Sequence, residues 1–248
     1  FLKGEASLNL SDDEVILEHD FFANPLSFST LNLFLTCPRK YYYTKIAHID
    51  APKAIASELG TKQGNSVHSA LFEYYTSEFY KQNNTFDLAV FKEMLAKQNL
   101  TPLEFEIWTH KFKEYEIYEN ERLRAGFRVL ECEKEVQSEF CGVQIKGFID
   151  RIDVGANGDV LILDYKTGEA NVNSLQLAFY EALYGGEVRS AYYALKNEPS
   201  LVSSKKSVED LSGEIEKLKT INKTKINFER KSGACAFCEY VTLCRREL

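Results

Sequence analysis

The sequence predicts an α/β protein, a mixed central sheet flanked by helices with a helical N-terminal portion folded against it. Three observations carry that reading. Apolar residues recur at helical spacing through the first half of the 248-residue chain. After Gly126 come alternating and then continuous apolar segments, broken by glycine-containing turns. A helical stretch that stops at Gly185-Gly186 then separates these strands from another one starting at Val188.

Residues 1–26 read as an acidic, irregular lead-in, and 27–248 as one domain in three parts: 27–126 helical, 127–202 a sheet core, 203–248 a basic tail with a cysteine cluster. From Ser27, residues Phe28, Leu31, Phe34 and Leu35 fit one helix, with Ser27 or Ser29 as N-cap, until Cys37-Pro38 interrupts it. A second helical pattern runs from about 58 to 80 through Val67, Leu71, Tyr74 and Tyr75. Thr101-Pro102-Leu103-Glu104 supplies a cap, a proline at the first helical position and a glutamate three residues after the cap, so a long helix is predicted to about 124.

Residues 128–140, 143–154 and 159–166 read as a three-stranded meander, with turns at Cys141-Gly142 and Gly155-Ala156-Asn157-Gly158. In Val160-Leu161-Ile162-Leu163 both faces are apolar, which marks a strand covered on both sides. A helix over about 174–184, a strand over 188–195 and a more polar helix over about 205–218 follow.

With 44% apolar residues the chain can bury a sizeable core, so disorder is not the default. No apolar run approaches the roughly 20 residues that cross a bilayer, and no signal-like segment opens the chain. We therefore expect a cytoplasmic protein with no membrane partner. The first residue is Phe1, which leads us to expect a piece cut from a longer polypeptide. A formal charge of −7 argues against a free-standing, non-specific nucleic-acid binder, although residues 203–248 hold 10 Lys and Arg against 7 Asp and Glu.

The most informative stretch is Gly147-Phe148-Ile149-Asp150-Arg151-Ile152-Asp153 followed by Leu161-Ile162-Leu163-Asp164-Tyr165-Lys166-Thr167-Gly168. Alternation sends Asp164 and Lys166 to one face of a strand and Tyr165 to the other. Charges at the end of an apolar strand must be paired, metal-bound or neutralised. Asp150, on the adjacent strand, can converge on the same point. Two such carboxylates suit Mg²⁺ or Mn²⁺, and a neighbouring ammonium can orient water and offset charge on a phosphoryl group. The plainer reading is a buried ion pair, Asp164 with Lys166 or with Arg151, that only holds the sheet.

These residues resemble the core of the PD-(D/E)XK nucleases, which is restriction-endonuclease-like, and in particular the branch of the RecB and AddB helicase-nucleases and the CRISPR-associated adaptation nucleases. The pattern there is Gly-x-Ile-Asp-Arg-x-Asp, an apolar strand ending Asp-Tyr-Lys-Thr-Gly, then Gln-Leu-x-x-Tyr, matched here by Gln176-Leu177-Ala178-Phe179-Tyr180. Cys37-Pro38-Arg39-Lys40-Tyr41-Tyr42-Tyr43 and the segment from Gly60-Thr61 to His68 belong to the same resemblance, which spans most of 27–246.

The resemblance implies Asp150 and Asp164 as metal ligands with the Tyr165 carbonyl as a third, Lys166 as the catalytic lysine, and His68 as a helical ligand. A lone helical histidine is otherwise most often an ordinary hydrogen-bonded residue. Gln176 and Tyr180, four apart on one helix face, would flank the site as further catalytic residues; without the resemblance they are helix surface.

Cys235-x-x-Cys238 and Cys244 make three thiolate ligands, and a closed site needs four, with Cys37 as the remaining candidate. The resemblance implies a 4Fe-4S cluster on these four; Zn²⁺ fits four thiolates equally well. Cys132 and Cys141 read as small core residues. The function implied is metal-dependent hydrolysis of DNA, single-stranded or at duplex ends, as an exonuclease module in double-strand-break repair. Its partners would be helicase domains in the same polypeptide and a partner helicase-nuclease subunit. A stand-alone CRISPR adaptation nuclease and a catalytically silent, cluster-stabilised DNA-binding module are the alternatives.

Overall fold

The structure, a computed structural model, describes residues 14–50, 55–231, 233, 235, 236 and 238–244, with 55–61 described for their backbone alone. The elements in order are β1 (Ile16–Glu18), β2 (Leu26–Ser27), α1 (Phe28–Thr36), α2 (Pro38–Tyr41), a π-helical turn (Tyr42–Ile46), α3 (Ile55–Thr76), α4 (Glu78–Asn83), α5 (Leu88–Leu95) and α6 (Pro102–Arg124). They continue with β3 (Arg128–Phe140), β4 (Val143–Val154), β5 (Val160–Lys166), α7 (Gln176–Tyr184), β6 (Val188–Ala194), β7 (Ser200–Val202), α8 (Val208–Ile221) and β8 (Lys225–Asn227).

Local chemistry accounts for most helix starts. The Ser27 side chain accepts from the Thr30 amide, so Ser27 caps α1. At Thr101 both halves of the capping box are present. Helix α3 ends at Thr76 and does not continue to 80, because Ser77 turns extended and caps α4 instead, accepting from Tyr80 N. Helix α8 starts at Val208, after a capping box between Ser207 and Asp210, and extends to Ile221. The lead-in is less irregular than its composition suggests: β1 pairs antiparallel with β8, and β2 lies parallel to β4. Residues 1–13 of that lead-in lie outside the described residues.

The main sheet is mixed, with strand order β2-β4-β5-β6-β7 and β3 on β4. β3, β4 and β5 form the expected antiparallel meander, and β5 pairs in parallel with β6 through the α7 crossover. Both faces of β5 are covered. Ile162 belongs to a core shared with α1, α7 and α8, whereas Leu161, Leu163 and Tyr165 pack on the other side with α3, α5 and α6.

One irregularity shapes the site. Ile149 and Ile152 of β4 both pack into the first core although they stand three apart, so strict alternation is broken between them. Opposite this break, Glu133 of β3 has φ +48°, a left-handed conformation that a glutamate adopts only under local strain.

Candidate active site

Asp164 and Lys166 leave the C-terminal end of β5, where the register places Asp164 beside Tyr192 of β6. Helix α3 crosses close to the chain leaving β5: a Cβ on Gly64 would lie 3.1 Å from Thr167 Oγ1. One turn further along the helix, His68 reaches the strand end. Its Nε2 is 3.1 Å from the Tyr165 carbonyl oxygen, and its Nδ1 is 3.4 Å from Asp150 Oδ2. The same Asp150 oxygen accepts the Tyr165 amide at 2.9 Å. With Nε2–H directed at the carbonyl, Nδ1 turns its lone pair toward the Asp150 carboxyl.

The acids here are crowded and short of cations. Among the described residues, His68, Glu133 and Asp150 bring ligand atoms within 4.8 Å of one another. Burial, then the neighbouring Asp164 charge, push Asp150 well above the usual carboxylate range, with Glu133 adding to the effect. Burial and Asp164 likewise raise Glu133. Burial lowers His68, against the pull of Asp164. Glu133 is the residue that sequence reasoning missed. It stands between Glu131 and Glu135 at alternate positions, a pattern that reads as a solvated strand face. Only its backbone conformation sets it apart.

Asp164 is buried and turned toward α7. Its Oδ1 accepts from Gln176 Nε2 at 2.8 Å and from the Tyr180 hydroxyl at 3.2 Å. Its Oδ2 lies 2.6 Å from Lys166 Nζ, yet the contact is an ion pair without hydrogen-bond alignment, so this buried oxygen has no directed donor. Lys166 donates to Gln176 Oε1 at 2.9 Å, with its ammonium 5.2 Å from the centroid of the Tyr192 ring. Gln176 also donates to Tyr180 at 3.0 Å. The structure therefore brings together His68, Asp150, the Tyr165 carbonyl, Asp164, Lys166, Gln176 and Tyr180. Arg151 is not Asp164's partner: it lies on the opposite face, paired with Asp153 and Glu119.

Asp164 stands outside the His68, Glu133 and Asp150 group, since its carboxylate is held by α7 and Lys166. The site fits a hard cation nonetheless: oxygen donors predominate, one imidazole joins them, and Asp164 Oδ2 is a buried oxygen with no directed donor.

Cys37, Cys235, Cys238 and Cys244 line one small cavity, together with Lys40 and Lys231, and all six cysteines are free thiols. Cys37 sits between α1 and α2, held there by its amide on Leu33 O. The tail is tied to this corner by other contacts too, including Lys40 with Glu239 at 2.7 Å and the Tyr240 hydroxyl with Ile49 O at 2.8 Å. Four thiols around one cavity are the donor type that a tetrathiolate group takes, although among the described residues no three of them stand within 4.8 Å of one another. Cys132 and Cys141 lie elsewhere, each packed against a core, and burial pushes the Cys132 thiol up to about 12.

Among the described residues no helix is long and apolar enough to cross a membrane. Among known proteins, the chain is similar to an uncharacterized protein of Rickettsia bellii, 28% identical over 178 residues, which is 66% of this chain. That alignment spans only 21% of the Rickettsia protein, so the chain corresponds to about a fifth of a much longer relative. Its fold is similar to the crystal structure of a candidate exonuclease from Eubacterium rectale, with a TM-score of 0.54 at 15% identity, covering 100% of this chain and 95% of that one. The family model of the PD-(D/E)XK nuclease superfamily matches residues 25–245, which contain both the strand-end acids and the four cysteines. The chain belongs to the PD-(D/E)XK nuclease superfamily.

Proposed function

We propose that this nuclease domain hydrolyses DNA phosphodiester bonds with a divalent metal, Mg²⁺ or Mn²⁺. The observation that carries the reading is the convergence of His68, Glu133 and Asp150, with the Asp164–Lys166 pair beside them close enough for the Asp164 charge to raise Asp150. Carboxyls crowded at the mouth of a buried strand end, with Asp164 itself buried, suit a place where a cation is to be bound. His68, Asp150, Glu133 and Asp164 would hold the ion, with the Tyr165 carbonyl adjacent. Bound there, it would supply Lewis-acid polarisation of a phosphate oxygen and of the attacking water.

The chain's own residues do the rest. Gln176 and Asp164 hold the Lys166 ammonium at the strand end, where it can orient water and offset charge growing on the phosphoryl oxygens. Tyr180 and Gln176 fix the Asp164 carboxylate through Oδ1 and leave Oδ2 for the ion.

The domain would act as the nuclease module of an AddB-like helicase-nuclease in the cytoplasm, fed single strands or duplex ends. Its partners would be helicase domains in the same polypeptide and a partner helicase-nuclease subunit. The length of the Rickettsia bellii relative supports a module of a longer protein. Exonucleolytic cutting parallels the description of the Eubacterium rectale protein. The four-thiol corner would carry a 4Fe-4S cluster that clips the chain's two ends together.

Cleavage of end-labelled single-stranded and duplex DNA, with Mg²⁺, Mn²⁺ or chelator, tests the proposal. Metal-dependent cleavage by the parent, lost in Lys166→Ala, is the expected result; cleavage that survives chelation or the lysine's removal contradicts it.

A further inference from the structure

The face of the sheet opposite the acid cluster carries a second set of charges. Arg151 is fully buried and donates from Nε to Asp153 Oδ1 at 2.6 Å, and from Nη2 to Asp153 Oδ2 at 2.8 Å and to Glu119 Oε1 at 2.6 Å. Arg122 closes the ring, reaching Glu119 Oε2 at 3.1 Å and Asp153 Oδ2 at 2.8 Å. The quartet has two cations and two anions. Arg151 Nη1 also donates to the Tyr165 hydroxyl at 3.1 Å.

The two sets share a backbone. Asp150 and Arg151 are neighbours on β4, Asp164 and Tyr165 are neighbours on β5, and Arg151 is in register with Leu163. Tyr165 is the joint between them. Its amide donates to Asp150, its carbonyl meets His68, and its side chain, on the far side of the sheet, is held by Arg151. We infer that the Arg151–Asp153–Glu119–Arg122 quartet is the positioning element of the metal centre, holding the β4–β5 register and the Tyr165 peptide units so that Asp150 and His68 stand at ligand spacing before an ion arrives. The inference rests on the metal-centre reading above.

His68, Glu133 and Asp150 come within ligand distance of one another with Asp164 beside them, so ionising these crowded acids before an ion binds works against their close approach. Apolar packing on the far face would resist separation, but it has no directional bonds to fix register. A buried ion-pair network contributes direction more than stability, since apolar residues of similar volume often replace such a network without loss. Glu119 and Arg122 also tie the register to α6, an element that contributes none of the ligands named above.

The test compares Mn²⁺ binding, by calorimetry and by electron paramagnetic resonance of the bound ion, in three chains. These are the parent, Tyr165→Phe, and the apolar variant Arg151→Met/Asp153→Leu/Glu119→Leu/Arg122→Met. Tyr165→Phe removes only the hydroxyl that Arg151 holds, so it keeps the fold even if the fourfold variant does not, and it then decides alone. We expect both folded variants to bind Mn²⁺ more weakly, by roughly 10-fold in the apolar variant, with a broadened resonance signal that reports a less uniform site. Parent-like affinity and line shape in every folded variant would overturn the inference and leave the metal centre standing. A parent that binds no Mn²⁺ would overturn both.

Discussion

The two faces of the β4–β5 pair bury charge in opposite ways. On one face Arg151, Arg122, Asp153 and Glu119 balance, and their side chains are bonded several times over, as far as the hydroxyls of Tyr75 and Tyr193 on Glu119. Burial alone would raise Glu119, yet Arg151 and Arg122 outweigh it and hold the carboxyl below its usual range. On the other face burial and the Asp164 charge raise both Asp150 and Glu133. Asp150, Arg151 and Asp153, which divide between the two faces, lie within four residues of one strand. The balanced cluster is complete in the folded chain, whereas the acid-rich one would be completed by a cation from outside, on the function proposed above.

The four-thiol corner is a third cluster of this kind and sharpens the contrast most. With the proposed cluster in place, a metal cross-link from Cys37 to the tail would close most of the chain, so Cys37→Ser should cost stability first and activity only as a consequence. Such a closure restricts the unfolded state by about 5 kcal/mol on the chain-entropy account. The variant should lose the brown chromophore, melt earlier and become protease-sensitive near both ends, while Cys132→Ser, in the core, keeps its colour. Equal melting curves for Cys37→Ser and an anaerobically prepared, iron-containing parent would remove Cys37 from the cluster.

Asp153→Asn and Asp150→Asn set the two faces directly against each other. Breaking the balanced quartet at Asp153 leaves Arg151 and Arg122 underpaired and should destabilise by about 3–5 kcal/mol. Asp164→Ala and Lys166→Ala should lower cleavage by roughly 10²–10³-fold and leave the melting temperature close to the parent's. Asp150→Asn should act in the opposite direction to Asp153→Asn. The folded Asp150 carboxyl is raised, so the folded state holds its proton more tightly than the unfolded state does. Its contribution to stability is full below the unfolded value and is lost as pH rises through the raised one. At neutral pH the metal-free Asp150→Asn chain should therefore melt above the metal-free parent, by about 2–4 °C for each kcal/mol relieved. Melting curves of both variants without metal check the pair of signs, and two shifts of the same sign would break the comparison.

His68→Ala should give the smallest effect, weakening Mn²⁺ by roughly 10-fold, with excess Mn²⁺ restoring part of the activity. Unchanged Mn²⁺ affinity in the variant would return His68 to a simple hydrogen bond with Tyr165.

Much of this was legible in the sequence. The long helix was announced by Thr101-Pro102-Leu103-Glu104, and the meander by its turns and alternation. β5 was marked as doubly covered by Val160 to Leu163. The shared face of Asp164 and Lys166 followed from strand alternation, while Asp150, expected only as a neighbour on the adjacent strand, reaches the site where that alternation is broken. Less was legible where tertiary contacts decide. β1, β2 and β8 are two or three residues long and exist because of their partners, which no local pattern announces. Glu133 was hidden because its placement depends on a left-handed residue and a change of parity in the facing strand. Arg151 looked like a possible partner for Asp164 because only the fold shows Glu119, 32 residues upstream, arriving from α6.

The most direct test of the unbalanced face is calorimetric titration of the metal-free parent with Mn²⁺ at neutral pH, in buffers of different ionisation enthalpy. If Asp150 holds a proton until a cation displaces it, the binding heat will change with the buffer, and affinity will fall as the pH is lowered. Asp150→Asn should then abolish both the binding and the proton release. Buffer-independent binding that survives Asp150→Asn, or no binding by the parent, would contradict the account.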